Sequence, residues 1–82
     1  MLEITDIWIR IVQPIATTHE LGAAIRSRRK ALKLTQQNLA DGLGVTRQLI
    51  GELENGRPGV RLEVALLAAQ QLGIDLFAKS RT

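Results

Sequence analysis

The 82-residue chain has no cysteine and no tyrosine, only two prolines, and two aromatic residues, Trp8 and Phe77. Without cysteine there is no disulfide framework, no thiol nucleophile and no Cys-based zinc site. That absence fits a reducing cytoplasm, which is the expected location. No run approaches the roughly 18 apolar residues of a membrane span. The N-terminal stretch "MLEITDIWIRIVQPIA" is apolar, but it opens on Glu3 and Asp6 and is interrupted by Arg10. A secretory signal needs a basic start and an unbroken apolar segment. Catalytic constellations are equally scarce. His19 is the lone histidine and falls in a helix-capping pattern with no nucleophile at a recognisable spacing. Glu52 and Glu54 are two apart on a helix and so face different directions. There is no glycine-rich phosphate cradle and no metal-ligand cluster. The sequence therefore reads as a non-enzyme that needs no cofactor or metal.

What is present is a 45% hydrophobic composition built from Leu, Ile, Val and Ala, and a net charge of +3. This length holds one small domain, whose core is marginal for a monomer, and dimerisation is a common remedy. The charge is unevenly placed. Residues 1–16 carry Arg10 against Glu3 and Asp6, and residues 62–82 balance Lys79 and Arg81 against Glu63 and Asp75. Residues 17–61 carry eight Lys or Arg against four Asp or Glu. A basic centre suits a polyanionic partner, although a solvated basic face looks the same.

Ile4, Thr5, Ile7, Ile9, Ile11 and Val12 make residues 2–13 rich in β-branched side chains, closed by Pro14, and predict a strand. A helix is the rival, because Ile4, Trp8, Ile11 and Ile15 also fit helical spacing. Thr17-Thr18-His19-Glu20 is a capping box, with Glu20 reaching back to the cap. The helix that follows runs to about Leu32, with Leu21, Ala24, Ile25 and Leu32 inward and Arg26, Arg29, Lys30 and Lys33 on its other face. Thr35 caps a second helix through Ala40 and Asp41, ended by Gly42 as the left-handed residue. Thr46 caps a third, to about Glu54, stopped by Asn55-Gly56, with a Pro58-Gly59 loop beyond. A fourth covers about Leu62 to Leu72 and ends at Gly73; its inward set is Leu62, Ala65, Leu66, Ala69 and Leu72. Val64, Leu67 and Ala68 then form a surplus apolar face. "IDLFA" alternates Ile74, Leu76 and Ala78 against Asp75, Phe77 and Lys79, which predicts a short strand.

The second and third helices are too short to stand alone. With the short glycine-containing turn between them they make a helix-turn-helix unit. Leu39, Leu43, Val45, Ile50 and Leu53 anchor it, and Ala40 and Gly42 allow a close crossing. Thr46, Arg47, Gln48, Gly51 and Glu52 are left outward on the third helix. Arg suits guanine, Gln suits adenine and a Thr methyl suits thymine in the major groove. Gly51 either lets the backbone approach DNA closely or is a packing glycine; the sequence leaves both open.

The stretch "LTQQNLADGLGVTRQLIGELENGRPGVRLEVALLAAQQLGI" resembles the Cro/C1-type, or XRE-like, helix-turn-helix family over about residues 20–73. It matches the frame "LTQxxLAxxLGVxRxxIxxLENG" nearly throughout. Within that family the tighter likeness is to HipB-type antitoxins, from "LGAAIRSRRKALKLTQ" through "RPGVRLEVALLAAQQLGIDL". The resemblance implies an all-α, lambda-repressor-like domain of about four helices at 17–73. A short C-terminal strand and tail at 74–82 would then dimerise, and residues 1–16 form an N-terminal extension outside the family pattern. It implies base reading by Arg47 and Gln48, with Thr46 on phosphate or base. It implies phosphate contacts by Gln36, Asn55 and Arg57, to which Thr35 at the same helix start is added, and an internal ion pair of Arg29 with Glu54. Arg26 and Lys30 are then either phosphate contacts or solvated. Val64, Leu67, Ala68, Ile74 and Leu76 are the expected dimer interface, and two recognition helices would sit about 34 Å apart on a palindromic operator. The implied function is a repressor that autoregulates a toxin–antitoxin operon and binds a HipA-like kinase toxin. A stand-alone phage-type repressor, or an interaction module on the same scaffold without DNA, is the alternative. The long polar outward set on the third helix favours DNA, since a protein-binding face is richer in aromatics and Met.

Overall fold

The computed structural model describes residues 12–81. The strand expected over 2–13 lies almost wholly outside them, and residues 12–16 have no regular secondary structure. The described residues form four helices: α1 (Thr18–Ala31), α2 (Gln36–Leu43), α3 (Arg47–Glu54) and α4 (Leu62–Gln71). The fold class is all-α, with the helix-turn-helix formed by α2, a three-residue turn and α3.

Three of the four helices start on a threonine. Thr17, Thr35 and Thr46 each accept, through the side-chain hydroxyl, the backbone N–H three residues on. Each satisfies one of the orphan donors of a helix start. The α2 cap is a complete box, because the Asn38 side chain also accepts from the Thr35 N–H at 2.9 Å. At α1 the box is offset: Glu20 accepts from the Ala16 N–H at 3.2 Å rather than from the cap residue itself.

All four helices end alike. In each, a residue two or three past the last helical one returns its N–H to the carbonyl five residues back: Leu34 to Arg29, Val45 to Ala40, Arg57 to Glu52 and Ile74 to Ala69. This closure needs a left-handed residue just before the returning one. Gly44, Gly56 and Gly73 supply it, but α1 uses Lys33 at φ 59°. The stop of α2 is thus Gly44, two residues later than the sequence suggested, and Gly42 stays helical. Leu34, Val45 and Ile74, the returning residues of α1, α2 and α4, pack against the core, whereas Arg57 of α3 is exposed.

The core consists of Ile25, Leu39, Ala40, Ile50, Leu53, Val64, Ala65, Ala68 and Leu72. α1 comes close to the end of α3 at Gly22, where a Cβ would lie 2.4 Å from the Leu53 carbonyl oxygen and 2.6 Å from that of Glu54. Only glycine fits there. Ala40 is fully buried, as a close crossing requires, but Gly42 is exposed and faces only the Gln71 side chain. Two bonds from α1 fasten the other helix ends. Thr18 donates to the Gly56 carbonyl at 2.8 Å, and Arg28 Nε to the Leu72 carbonyl at 2.9 Å.

Three expectations are corrected. Leu32 is exposed, because it follows the last helical residue of α1 and leaves its inward stripe. On α4 the inward residues are Val64, Ala65, Ala68 and Ala69, with Leu72 just past the helix, while Leu62 is 68% and Leu66 43% exposed. That helix is apolar nearly all round, so spacing alone cannot pick its buried face. The small side chains turn inward and let α4 sit close to α2. Val64 and Ala68 are therefore core and cannot form a dimer surface, whereas Leu67 remains outward. Finally, residues 74–81 form no strand. A strand needs a partner edge for its N–H and C=O groups, and the described residues of one chain contain none. Ile74 closes α4 instead, while Leu76 and Phe77 are exposed.

Candidate nucleic-acid interface

The outward side of α3 gathers the polar residues expected to meet a ligand. Gln36, Arg47, Gln48, Gly51, Glu52, Asn55 and Arg57 line one shallow depression. They come from three places: the first residue of α2, the outer face of α3, and the loop after it. The capped start at Thr46 fixes the first turn of α3, and burial of Ile50, Leu53 and Glu54 fixes its rotation. Arg47, Gln48 and Asn55 are exposed, and Gly51 and Glu52 half-buried. Long neutral and cationic donors dominate this surface, with Glu52 its one carboxylate.

Thr35 and Thr46 do not line the depression. Their hydroxyl oxygens are occupied as caps, accepting from Asn38 and Leu49 at 3.0 and 3.1 Å. A hydroxyl that accepts one bond still has its own proton to donate, so both can also meet a phosphate. The α2 start adds its dipole, and the Gln36 and Gln37 amides precede the first intrahelical bond, an arrangement that suits an anion.

Beneath the face lies a buried charge cluster. Arg29 donates from Nε to Glu54 Oε2 at 2.7 Å and from Nη2 to Oε1 at 3.0 Å, a two-point ion pair. The two side chains are 8% and 1% exposed, so neither charge is left to solvent. Arg29 Nη1 also donates to the Leu34 carbonyl at 2.7 Å, tying the end of α1 into the cluster. The hydrogen bond to Glu54 holds the guanidinium above its ordinary pKa. Burial opposes this and the carboxylate charge reinforces it. Among the described residues no buried side-chain nitrogen or oxygen lacks a partner.

Gln36 joins this cluster to the outer face. Its Nε2 donates to Glu54 Oε1 at 3.1 Å, so the carboxylate accepts three bonds. No sequence pattern signals this contact, because the two residues are 18 apart and on different helices. Gln37, next to it, points elsewhere and donates to Asp41 at 2.8 Å. Arg26 and Lys30 are exposed on α1 and do not line the depression. Leu67 and Leu76 are exposed, and Ile74 is half-buried against the core. No cluster of His, Cys, Asp or Glu able to hold a metal occurs among the described residues, and no described helix is long and apolar enough to cross a membrane.

This geometry has counterparts among known proteins. An uncharacterised HTH-type transcriptional regulator of Methanothermobacter thermautotrophicus is 51% identical over 49 residues, covering 60% of this chain and 71% of that one. The HTH-type transcriptional regulator y4mF of Sinorhizobium fredii is 38% identical over 66 residues, covering 78% of this chain and 87% of that one. Among solved structures, a HipB variant in complex with an O2 20-mer superposes with a TM-score of 0.77 at 23% identity, over 85% of this chain and 97% of that one. A chain of a HipA–HipB–O2–O3 complex gives 0.76, also at 23% identity, over 85% of this chain and 99% of that one. The helix-turn-helix family model matches residues 25–78, which contain all of α2, α3 and α4 and the whole lined depression. The chain belongs to the helix-turn-helix family of transcriptional regulators, of the XRE type.

Proposed function

We propose that this protein is a sequence-specific repressor that binds a palindromic double-stranded DNA operator as a homodimer. The observation that carries the reading is the convergence of Gln36, Arg47, Gln48, Glu52, Asn55 and Arg57 on one face of the helix-turn-helix. Arg47 and Gln48 project from the first turn of α3, the part of a recognition helix that enters the major groove. There a forked donor meets guanine and an amide meets adenine. Gln36, Asn55 and Arg57 border the same face and hold the flanking phosphates, which set register without reading sequence. Thr35 and Thr46 add hydroxyl donors at the two helix starts.

The dimer is built from the outer side of α4 and the tail, residues 74–82. Leu67 and Leu76 supply apolar surface, and the tails of two chains offer each other the strand edge that the described residues of one chain do not contain. Light scattering at tens of micromolar should give twice the chain mass; a monomer overturns this assembly. The repressor acts as a HipB-like antitoxin in the cytoplasm, controlling its own operon and binding a HipA-like kinase toxin. The likeness in fold to HipB over 85% of the chain supports this role. A gel shift and footprint on the protein's own promoter test DNA reading. Co-purification with the product of an adjacent kinase-like reading frame tests the antitoxin role. Promoter binding without such a frame or a complex leaves a stand-alone repressor.

A further inference from the structure

Gly51 has no structural reason to be glycine. It lies in the interior of α3, where glycine is among the least favourable residues. It is not among the residues with positive φ, so the backbone does not demand it. A Cβ built on it would meet one atom, Gln36 Nε2, at 4.0 Å, an ordinary contact. Gly22 shows the contrast, since its Cβ would collide with the Leu53 carbonyl at 2.4 Å. The space above Gly51 is open outward, on the lined depression. Arg47 and Gln48 lie four and three residues before it and Asn55 four after, so their side chains flank it on one helix face. The result is a bare Cα methylene between polar side chains.

We propose that this notch seats the 5-methyl group of a pyrimidine, so that Gly51 selects thymine at one symmetric operator position. The inference rests on the DNA-reading function proposed above. In the major groove the base edges offer donors, acceptors and a single apolar group, the thymine methyl. An apolar floor walled by donors fits that group and no other edge feature. The missing Cβ leaves about the room one methyl occupies, and any larger residue at 51 would hold the base edge away.

The test uses the full chain and synthetic duplexes of the footprinted promoter site. Each thymine is replaced in turn by deoxyuridine, which removes only the methyl. Wild type should lose about fourfold in affinity per half-site at one symmetric pair of positions, the value of one buried methylene. Gly51→Ala should bind the thymine duplex at least tenfold more weakly. At that same pair, deoxyuridine should now strengthen binding instead of weakening it. The variant's thermal midpoint should be unchanged or higher, since alanine favours helix and meets no clash. Wild-type affinity of Gly51→Ala for the thymine duplex, the same deoxyuridine pattern in both proteins, or a variant that fails to fold overturns the proposal. An Arg47→Ala arm separates the two levels. If Arg47→Ala relaxes sequence preference while Gly51→Ala changes nothing, DNA reading stands and the methyl notch falls. If wild type binds no promoter DNA, both fall.

Discussion

Glu54→Gln swaps a buried carboxylate for a neutral amide of the same size and tests what holds α1, α2 and α3 together. The wild-type group accepts from Arg29 twice and from Gln36 once, with its side chain 1% exposed. After substitution the amide oxygen can still accept, but the Arg29 guanidinium is left without a counter-charge in a site 8% exposed. Breaking a buried pair in this way costs about 3–5 kcal/mol. A small domain with an all-aliphatic core stands near the lower end of the roughly 5–15 kcal/mol typical of folded proteins, so most of its margin goes. At about 4–8 °C per kcal/mol for a domain of this size, the thermal midpoint falls by roughly 12–40 °C. Arg29→Met leaves the carboxylate unpaired instead and should cost a similar amount. The double variant Arg29→Met/Glu54→Gln leaves neither charge behind and should lose less than the two single losses combined. Urea unfolding followed by circular dichroism gives all four corners of the cycle. Strictly additive losses would refute the reasoning, because independent sites add and a shared buried pair does not. The pH dependence follows from the direction of the Arg29 shift. Its folded-state pKa is raised, so its contribution is fully present below the ordinary arginine range and is lost only as pH rises through the folded value. The stability difference between wild type and Arg29→Met should therefore be the same at pH 7 and at about pH 10.

Arg47→Ala and Gln36→Ala should fail differently. The first should lose about 1–3 kcal/mol per half-site and relax preference at one operator position. The second should weaken binding to operator and random DNA alike, leave the salt slope unchanged because it removes no charge, and lower stability by about 1 kcal/mol through the lost bond to Glu54. Binding titrations at several salt concentrations separate them, and a sequence-independent loss for Arg47→Ala would remove α3 from the major groove. Gly22→Ala should destabilise by about 1–3 kcal/mol or more, because its Cβ meets the Leu53 carbonyl; an unchanged urea midpoint would show that α1 and α3 can separate freely. Lys33→Gly should stabilise by about 0.5–1 kcal/mol, the left-handed strain relieved less the extra unfolded-state freedom of glycine. A lower midpoint for that variant would mean that the Lys33 side chain contributes more than its backbone costs.

Three of the four helices were legible because their start signals are local, while α4, which has no side-chain cap, was marked by its apolar run and by Gly73. Thr17, Thr35 and Thr46 each cap through a bond to a residue three positions on, which a linear sequence displays directly. The outward set on α3 was legible for the same kind of reason, since Ile50 and Leu53 mark the buried side and leave Arg47 and Gln48 outside. What was not legible depends on contacts between distant residues. Gly22 looks like any helical glycine until the Leu53 carbonyl, 31 positions away, is brought against it. The rotation of α4 is set by which side fits beside α2, and a helix apolar on every side does not declare that. The Gln36–Glu54 bond needs two helices in place before it exists. The tail reads as a strand by alternation, yet alternation supplies no second edge for it to pair with.

The bond from Gln36 to Glu54 divides the outer face into two kinds of position. Gln36, assigned to a phosphate, is moored to the interior through the ion pair, while Arg47 and Gln48, assigned to bases, are exposed on a helix held by other residues. If Arg47 and Gln48 read bases as proposed, a descendant of this chain can exchange them and take up a new operator while the fold, which does not rest on these exposed side chains, stays as it is. Exchange at 36 is felt at once by the fold. Under the proposed DNA-reading role, the one phosphate-facing residue wired inward is tied to the fold, while the residues given to the bases are free to drift.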